Sequence, residues 1–281
     1  MDIGKKMNKF TPLYVALLGV GILTAPAVAV ASIEFDQDVT PDILFGSGNG
    51  NGSFTTDRNN GVELGLRAKL RFNASGLPED TFNSNGDGTY SFQNIIAPTQ
   101  SSPKAEWAFE WSVNTDFLAP EGTGYSLEDL TYELGLDTDP GLGVNYTVLD
   151  HITPSPAKDS WDHSIGDNST GNGDGTETGD AYAYMDLLAN NNVAQNSWQA
   201  HWFFGPSFDP EAVGTYAIYL LAKDSSGNVI AKTDIQVLTG GAPKLVMVEP
   251  APIPATSTWS LLAGILGLGL LGGVARRKKL I

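Results

Sequence analysis

Val62-Glu63-Leu64-Gly65-Leu66-Arg67-Ala68-Lys69-Leu70-Arg71-Phe72 alternates apolar and polar or glycine positions without a break. Successive side chains of a strand point to opposite faces, so this eleven-residue run predicts a strand with one buried face. The same period recurs outward along the chain. Trp107, Phe109, Trp111 and Val113 alternate with Ala108, Glu110 and Ser112. Leu130, Tyr132, Leu134 and Leu136 form a third run, and Val144, Tyr146 and Val148 a fourth; Asp139-Pro140-Gly141 between them reads as a hairpin turn. A second hairpin is expected from Tyr216–Ala222 and Val229–Leu238, which flank the polar stretch Lys223–Asn228. Helical patterning is scarce. Asp180 can cap a short helix through Leu188, with Ala181, Met185 and Leu188 on one face. Residues 152–180, rich in Gly, Asp, Ser and Thr, read as one long loop.

Many short strands at even spacing predict an all-β fold, an antiparallel β-sandwich with long loops, in its finer form a jelly roll. This domain is expected over residues 32–250. A domain of about 220 residues buries roughly 70% of its unfolded surface, so the absence of cysteine is no obstacle to stability. That absence also excludes thiol catalysis and cysteine metal sites.

The net charge of the 281-residue chain is −16, from 16 basic and 32 acidic residues. Seven of the basic residues lie at the ends: Lys5, Lys6, Lys9, Arg276, Arg277, Lys278 and Lys279. Residues 32–251 keep nine basic against 31 acidic side chains, a net charge of −22. Such a surface argues against nucleic acid as a partner, because phosphate binding needs a basic face.

The two ends carry address signals. Three lysines precede the apolar run Pro12–Leu23, and Ala29-Val30-Ala31 before Ser32 is a small-x-small cleavage site. This layout predicts a signal peptide over residues 1–31, cut by signal peptidase between Ala31 and Ser32. At the other end, Ala251-Pro252-Ile253-Pro254-Ala255-Thr256-Ser257-Thr258-Trp259 leads into the apolar stretch Ser260–Ala275 and then Arg276-Arg277-Lys278-Lys279. A stiff spacer, a short transmembrane helix over 259–275 and a basic stop would hold the cations in the cytoplasm and turn the domain outward. Gly269 and Gly273 have the GxxxG spacing of helix pairs, so an ordinary anchor that dimerises is the plainer alternative.

The tripartite order of residues 251–281 resembles the PEP-CTERM sorting signal of Gram-negative bacteria. Pro252 and Pro254, followed by Ala255, stand where that signal has its Pro-x-Pro motif, with Trp259 opening the helix and Arg276-Arg277 in the basic end. Ile253 replaces the usual Glu, which brings the tail nearer to the Val-Pro-Leu-Pro-Ala variant. The resemblance implies recognition and cleavage by an exosortase-type membrane transpeptidase. An inner-membrane intermediate would then be released to the cell surface or the exopolysaccharide matrix. Trp161–Ser169 (WDHSIGDNS) and Ala194–Trp198 (AQNSW) are similar to stretches in exported proteins with such tails, a likeness that implies no activity.

Inside the domain, catalytic patterns are weak. Asp162-His163-Ser164 holds the residue types of a nucleophilic triad, but a triad is assembled from distant segments. No G-x-S-x-G elbow or H-x-x-x-H pair occurs. Glu106 and Glu110 on one strand would stand about 13 Å apart at ~3.3 Å per residue, beyond the roughly 6.5–9.5 Å of an inverting glycosidase. No catalytic residue is expected. Asn83, Asn85 and Asp87, followed by Gly88, copy the first half of a calcium loop without its closing Glu, since Asn94 holds that position. A hairpin turn is the plainer reading there; calcium is the one cofactor these residues suggest. Trp198, Trp202 and Trp161 fall in or beside loops and are the candidates to stack on sugar rings; burial in the core is the plainer reading for Trp198 and Trp202, as it is for Trp107 and Trp111. Two functions follow as expectations: a non-enzymatic structural or interaction protein of the cell surface or matrix, and a carbohydrate-binding module using aromatics and Asp/Asn loops.

Overall fold

The computed structural model describes residues 33–245. The signal cleavage residues Ala29, Ala31 and Ser32, the sorting residues Pro252, Pro254, Ala255, Trp259, Arg276 and Arg277, and the helix expected over 259–275 lie outside the described residues. Among the described residues no helix is long and apolar enough to cross a membrane.

The described chain is an all-β sandwich with one α-helix. In chain order the elements are β1 (Ile33–Gln37), β2 (Phe54–Asn59), β3 (Val62–Leu70), β4 (Thr89–Phe92), β5 (Trp107–Asn114), β6 (Thr131–Asp137), β7 (Tyr146–Leu149), β8 (Ser164–Gly166), α1 (Ala181–Asn190), β9 (Val193–Gln199), β10 (Gly214–Lys223) and β11 (Val229–Thr239). One sheet has the order β1-β2-β3-β5-β9-β8 and the other β4-β11-β10-β6-β7. Among the described residues the two sheets have six and five strands. The sheets are antiparallel except where β4 lies parallel to β11. Both expected hairpins form, β6 with β7 and β10 with β11.

The alternation that predicts β3 also sets its register. Leu64, Leu66, Ala68 and Leu70 stand opposite Val113, Trp111, Phe109 and Trp107 of β5. These side chains enter the inter-sheet core, where they join Leu134 and Leu136 of β6 and Ile218 and Leu220 of β10. Each fully buried aliphatic or aromatic side chain contributes about 1.5–3 kcal/mol by leaving water, and burial of this kind is the dominant favourable term in folding.

The other face of β3 is buried as well, which a period-two pattern alone does not predict. Residues 38–53 fold back over the six-stranded sheet and bury Val39, Ile43 and Leu44. Gly65 makes the approach possible: a Cβ there would lie 2.7 Å from Val39 Cγ1. Gln195 of β9 fastens the strap, its Oε1 accepting from Leu44 N at 2.8 Å and its Nε2 donating to Asp42 O at 2.9 Å. The polar residues of β3 therefore meet partners instead of water. Arg67 donates to Glu110 at 2.6 Å and to the carbonyls of Gly50 and Gly52, with its guanidinium between the rings of Phe54 and Phe82. Lys69 lies 3.4 Å from Glu110 and 3.3 Å from Asp80.

The segment 152–180, expected as one long loop, contains β8, which pairs with β9 and bridges Ile165 to Thr176. Three residues are too few to register as a strand pattern. α1 begins where expected, with Asp180 Oδ1 accepting from Ala183 N at 2.9 Å. Its buried side chains are Tyr184 and Leu188, however; Met185, expected inward, is 46% exposed. Tyr184 wins the inward face because its hydroxyl donates to Ile152 O at 2.9 Å.

Candidate functional site

The tryptophans expected to bind sugar have three different fates. Trp198 is 2% exposed. Phe203 stacks on it at 4.3 Å, and Phe109 meets it edge-on at 6.1 Å. A ring with covered faces has no surface for a sugar, so Trp198 is corrected from ligand candidate to core. β9 turns it inward beside Phe109, because the two residues pair across the strands. Trp202 is 54% exposed, in the short turn after β9, with His201 as its ring neighbour at 5.7 Å. Trp161 is half-buried. It stacks on His163 at 5.6 Å with the planes 10° apart, and the Lys158 ammonium sits 4.3 Å from its ring centroid. Trp107 and Trp111 are in the core, where the alternation puts them.

Trp161 caps a cluster of aromatic and imidazole rings at the end of the core. Trp111 meets His151 at 4.4 Å and His163 at 4.7 Å, both edge-on. The imidazoles are fully buried. His163 Nδ1 accepts from Asn196 Nδ2 at 3.1 Å, so its Nε2–H is the donor to His151 O. Burial, only partly offset by that hydrogen bond, pushes His163 down to about 4. His151 lies well below the ordinary histidine range, through burial first and then its histidine neighbour. Both rings are neutral spacers in an aromatic packing, without access to substrate. Ser164 of the Asp162-His163-Ser164 run donates to Glu177 instead of to His163, so those three adjacent residues do not form a triad.

The acidic pair considered for glycoside hydrolysis is divided between structural tasks. Glu110 serves Arg67 and Lys69, and Glu106 accepts from Gln93 N at 2.7 Å. Burial pushes the Glu106 carboxyl above the usual range. Asp57, inside the sandwich, is raised by burial too, although Lys232 N donates to it at 2.8 Å.

The three residues of the half calcium loop are each bound elsewhere. Asn85 Nδ2 donates to Thr89 and Ser91 of β4 at 2.8 and 2.9 Å. Asp87 Oδ1 accepts from the Thr89 hydroxyl, while its other oxygen meets the Lys244 ammonium at 3.1 Å. Asn83 adopts a left-handed φ of 53° and its carbonyl accepts from Ser91 N. This is the hydrogen-bonded turn leading into β4. Among the described residues no three His, Asp or Glu side chains are gathered as in a metal centre.

Among the surface recesses of the described residues, one of about 480 Å³ has walls that include Trp161, Lys158, Ser160, Asp162, Glu177 and Thr178. Trp161 was legible in the sequence as a loop aromatic. Glu177 was not placed beside it, because the bridge between Ile165 and Thr176 that carries it there depends on β8. No protein-family model matches the chain, and no curated protein matches it either.

Proposed function

We propose that this chain is an exported structural or interaction protein of the cell surface or exopolysaccharide matrix of a Gram-negative bacterium. An exosortase-type enzyme would sort it through its C-terminal segment, and its domain would act without catalysis. The observation that carries the reading is the order of the sequence: an N-terminal signal pattern, a folded acidic β-domain, then Pro252-Ile253-Pro254, an apolar stretch and Arg276-Arg277. The use of the histidines and of Glu110 as internal packing and ion partners is in keeping with a scaffold. Mass spectrometry of the protein from membrane, surface and medium fractions tests the proposal. A mature start at Ser32 and an end near residue 254 are expected. An intact Ile281 retained in the membrane would make the protein a simple anchored one.

A second reading, carbohydrate binding, is favoured by one observation. Trp161 offers part of its ring to a polar recess and is backed by His163 and the buried Trp198. A platform fixed in this way loses little entropy when a sugar stacks on it. Affinity electrophoresis in a panel of polysaccharide gels separates the readings: retardation lost in Trp161→Ala supports binding, and free migration in every gel supports the scaffold. Calcium binding would raise the melting temperature over that in EDTA, and an unchanged midpoint would refute it.

A further inference from the structure

We propose that the Trp161 recess is a site for an amine-bearing sugar, a glucosamine-type unit of a polysaccharide. The inference rests on the carbohydrate-binding reading and narrows it to one ligand chemistry.

Three observations converge. First, the indole already holds a cation. Lys158 Nζ stands 4.3 Å from the ring centroid, the geometry in which an ammonium is attracted to the negative face of the ring. Second, two carboxylates line the recess without a cation of their own. Asp162 and Glu177 are exposed, and among the described residues neither takes part in an ion pair. Glu177 uses one oxygen to accept from Ser164 at 2.8 Å, and its other oxygen is left for a ligand. Asp162 has only a long contact, 3.5 Å, with Asn196. Third, the remaining lining is hydroxyl and backbone, Ser160, Thr178 and Gly179, which suits sugar hydroxyls.

A pyranose has an apolar face that matches an indole, and a 2-amino group would carry its positive charge toward Asp162 and Glu177. A neutral sugar would leave both carboxylates unanswered. An N-acetylated unit would lose the charge and bring extra bulk. Lys158 is exposed, on the turn closed by the Ser155–Lys158 bridge, so its side chain can leave the ring. It occupies the place of the ligand's ring over the indole, and the sugar must displace it. Lys158 is therefore an internal competitor, and its removal strengthens binding.

The experiment titrates the purified full-length chain with a β-1,4-linked glucosamine tetramer, its N-acetylated counterpart, cellotetraose and tetralysine, following tryptophan fluorescence. The glucosamine tetramer is expected to bind most tightly. Asp162→Asn and Glu177→Gln are expected to weaken it by about tenfold each, the equivalent of one charge-assisted contact, and Lys158→Met to tighten it. Glu121→Gln, an exposed charge outside the recess, controls for general attraction to an acidic protein and should change nothing. Melting curves identify any variant that loses its fold. Cellotetraose binding as tightly as the amine, with loss in Trp161→Phe, would overturn the amine while leaving the sugar reading intact. Tetralysine binding as tightly as the glucosamine tetramer would overturn the sugar in favour of a peptide ammonium. No binding of any oligomer would remove both the inference and the reading beneath it.

Discussion

The two faces of the six-stranded sheet bury polar groups by opposite means. On the outer face, beneath residues 38–53, acidic and basic side chains are buried against one another: Arg67 and Lys69 converge on Glu110. On the inner face, among Trp111, Trp198 and Tyr184, the polar groups are His151 and His163, held neutral. The difference teaches that a buried ionisable group is accommodated according to what surrounds it. Glu110 has two cations within reach. His163 has a carbonyl, an amide and aromatic rings, and desolvation prevails.

The largest effect should come from breaking the charged face. Glu110→Ala leaves Arg67 and Lys69 buried without their shared anion and should cost about 3–5 kcal/mol, read from urea unfolding. Replacing the Arg67–Glu110 pair together, as Arg67→Leu with Glu110→Leu, leaves Lys69 with Asp80 and should recover most of the loss. If the double variant is no better than the single one, the charges are not what the outer face depends on.

The neutral face should reveal itself through pH. His163 in the folded chain titrates near 4, against an ordinary value of 6.5. The unfolded chain therefore binds the proton first as pH falls. The stability that neutrality provides is complete above about 6.5 and is lost as pH drops toward 4, by about 3 kcal/mol in all at 1.36 kcal/mol per unit. Asp57, Glu63 and Glu106, raised by burial, act in the other direction. Their contribution is present at low pH and is lost as pH rises through their folded values. The histidine part is isolated by difference: His163→Gln should flatten the decline between pH 6.5 and 4, and an unchanged slope would refute it.

Smaller effects mark groups outside both faces. Asp180→Ala removes the cap of α1 and should cost about 1 kcal/mol in thermal unfolding. Lys223→Ala removes the partly exposed pair with Glu133 and should change stability by less than about 1 kcal/mol. Should it rival Asp180→Ala, the five-stranded sheet depends on surface charge more than its open face suggests.

The strands were legible where the chain repeats a local pattern. Alternation identified β3, β5 and both hairpins, and Asp180 marked the start of α1. The buried outer face of β3 was not legible. Glu63, Arg67 and Lys69 look like a solvated face until Val39, Ile43 and Leu44 are laid over them, and nothing local in residues 38–53 announces that contact. Trp198 stood between core and ligand site for a related reason. Its position near loops said nothing of Phe203 stacking on it. For the recess, the sequence offered Trp161, whereas Glu177 and Lys158 reach it only through a short bridge and a tight turn.

The strap over the six-stranded sheet also bears on when the domain can close. Leu44 and Gln195, which hold it, are 151 residues apart. A chain synthesised N-terminus first delivers the strap early and its fastening late. Residues 38–53 must wait until β9 has been made, and β10 and β11 of the opposing sheet follow later still. Closure is then a late event of folding, slowed by its dependence on distant contacts. Until that moment Val39, Ile43 and Leu44 lie bare, which makes this the interval in which the chain is most open to association with other apolar surfaces.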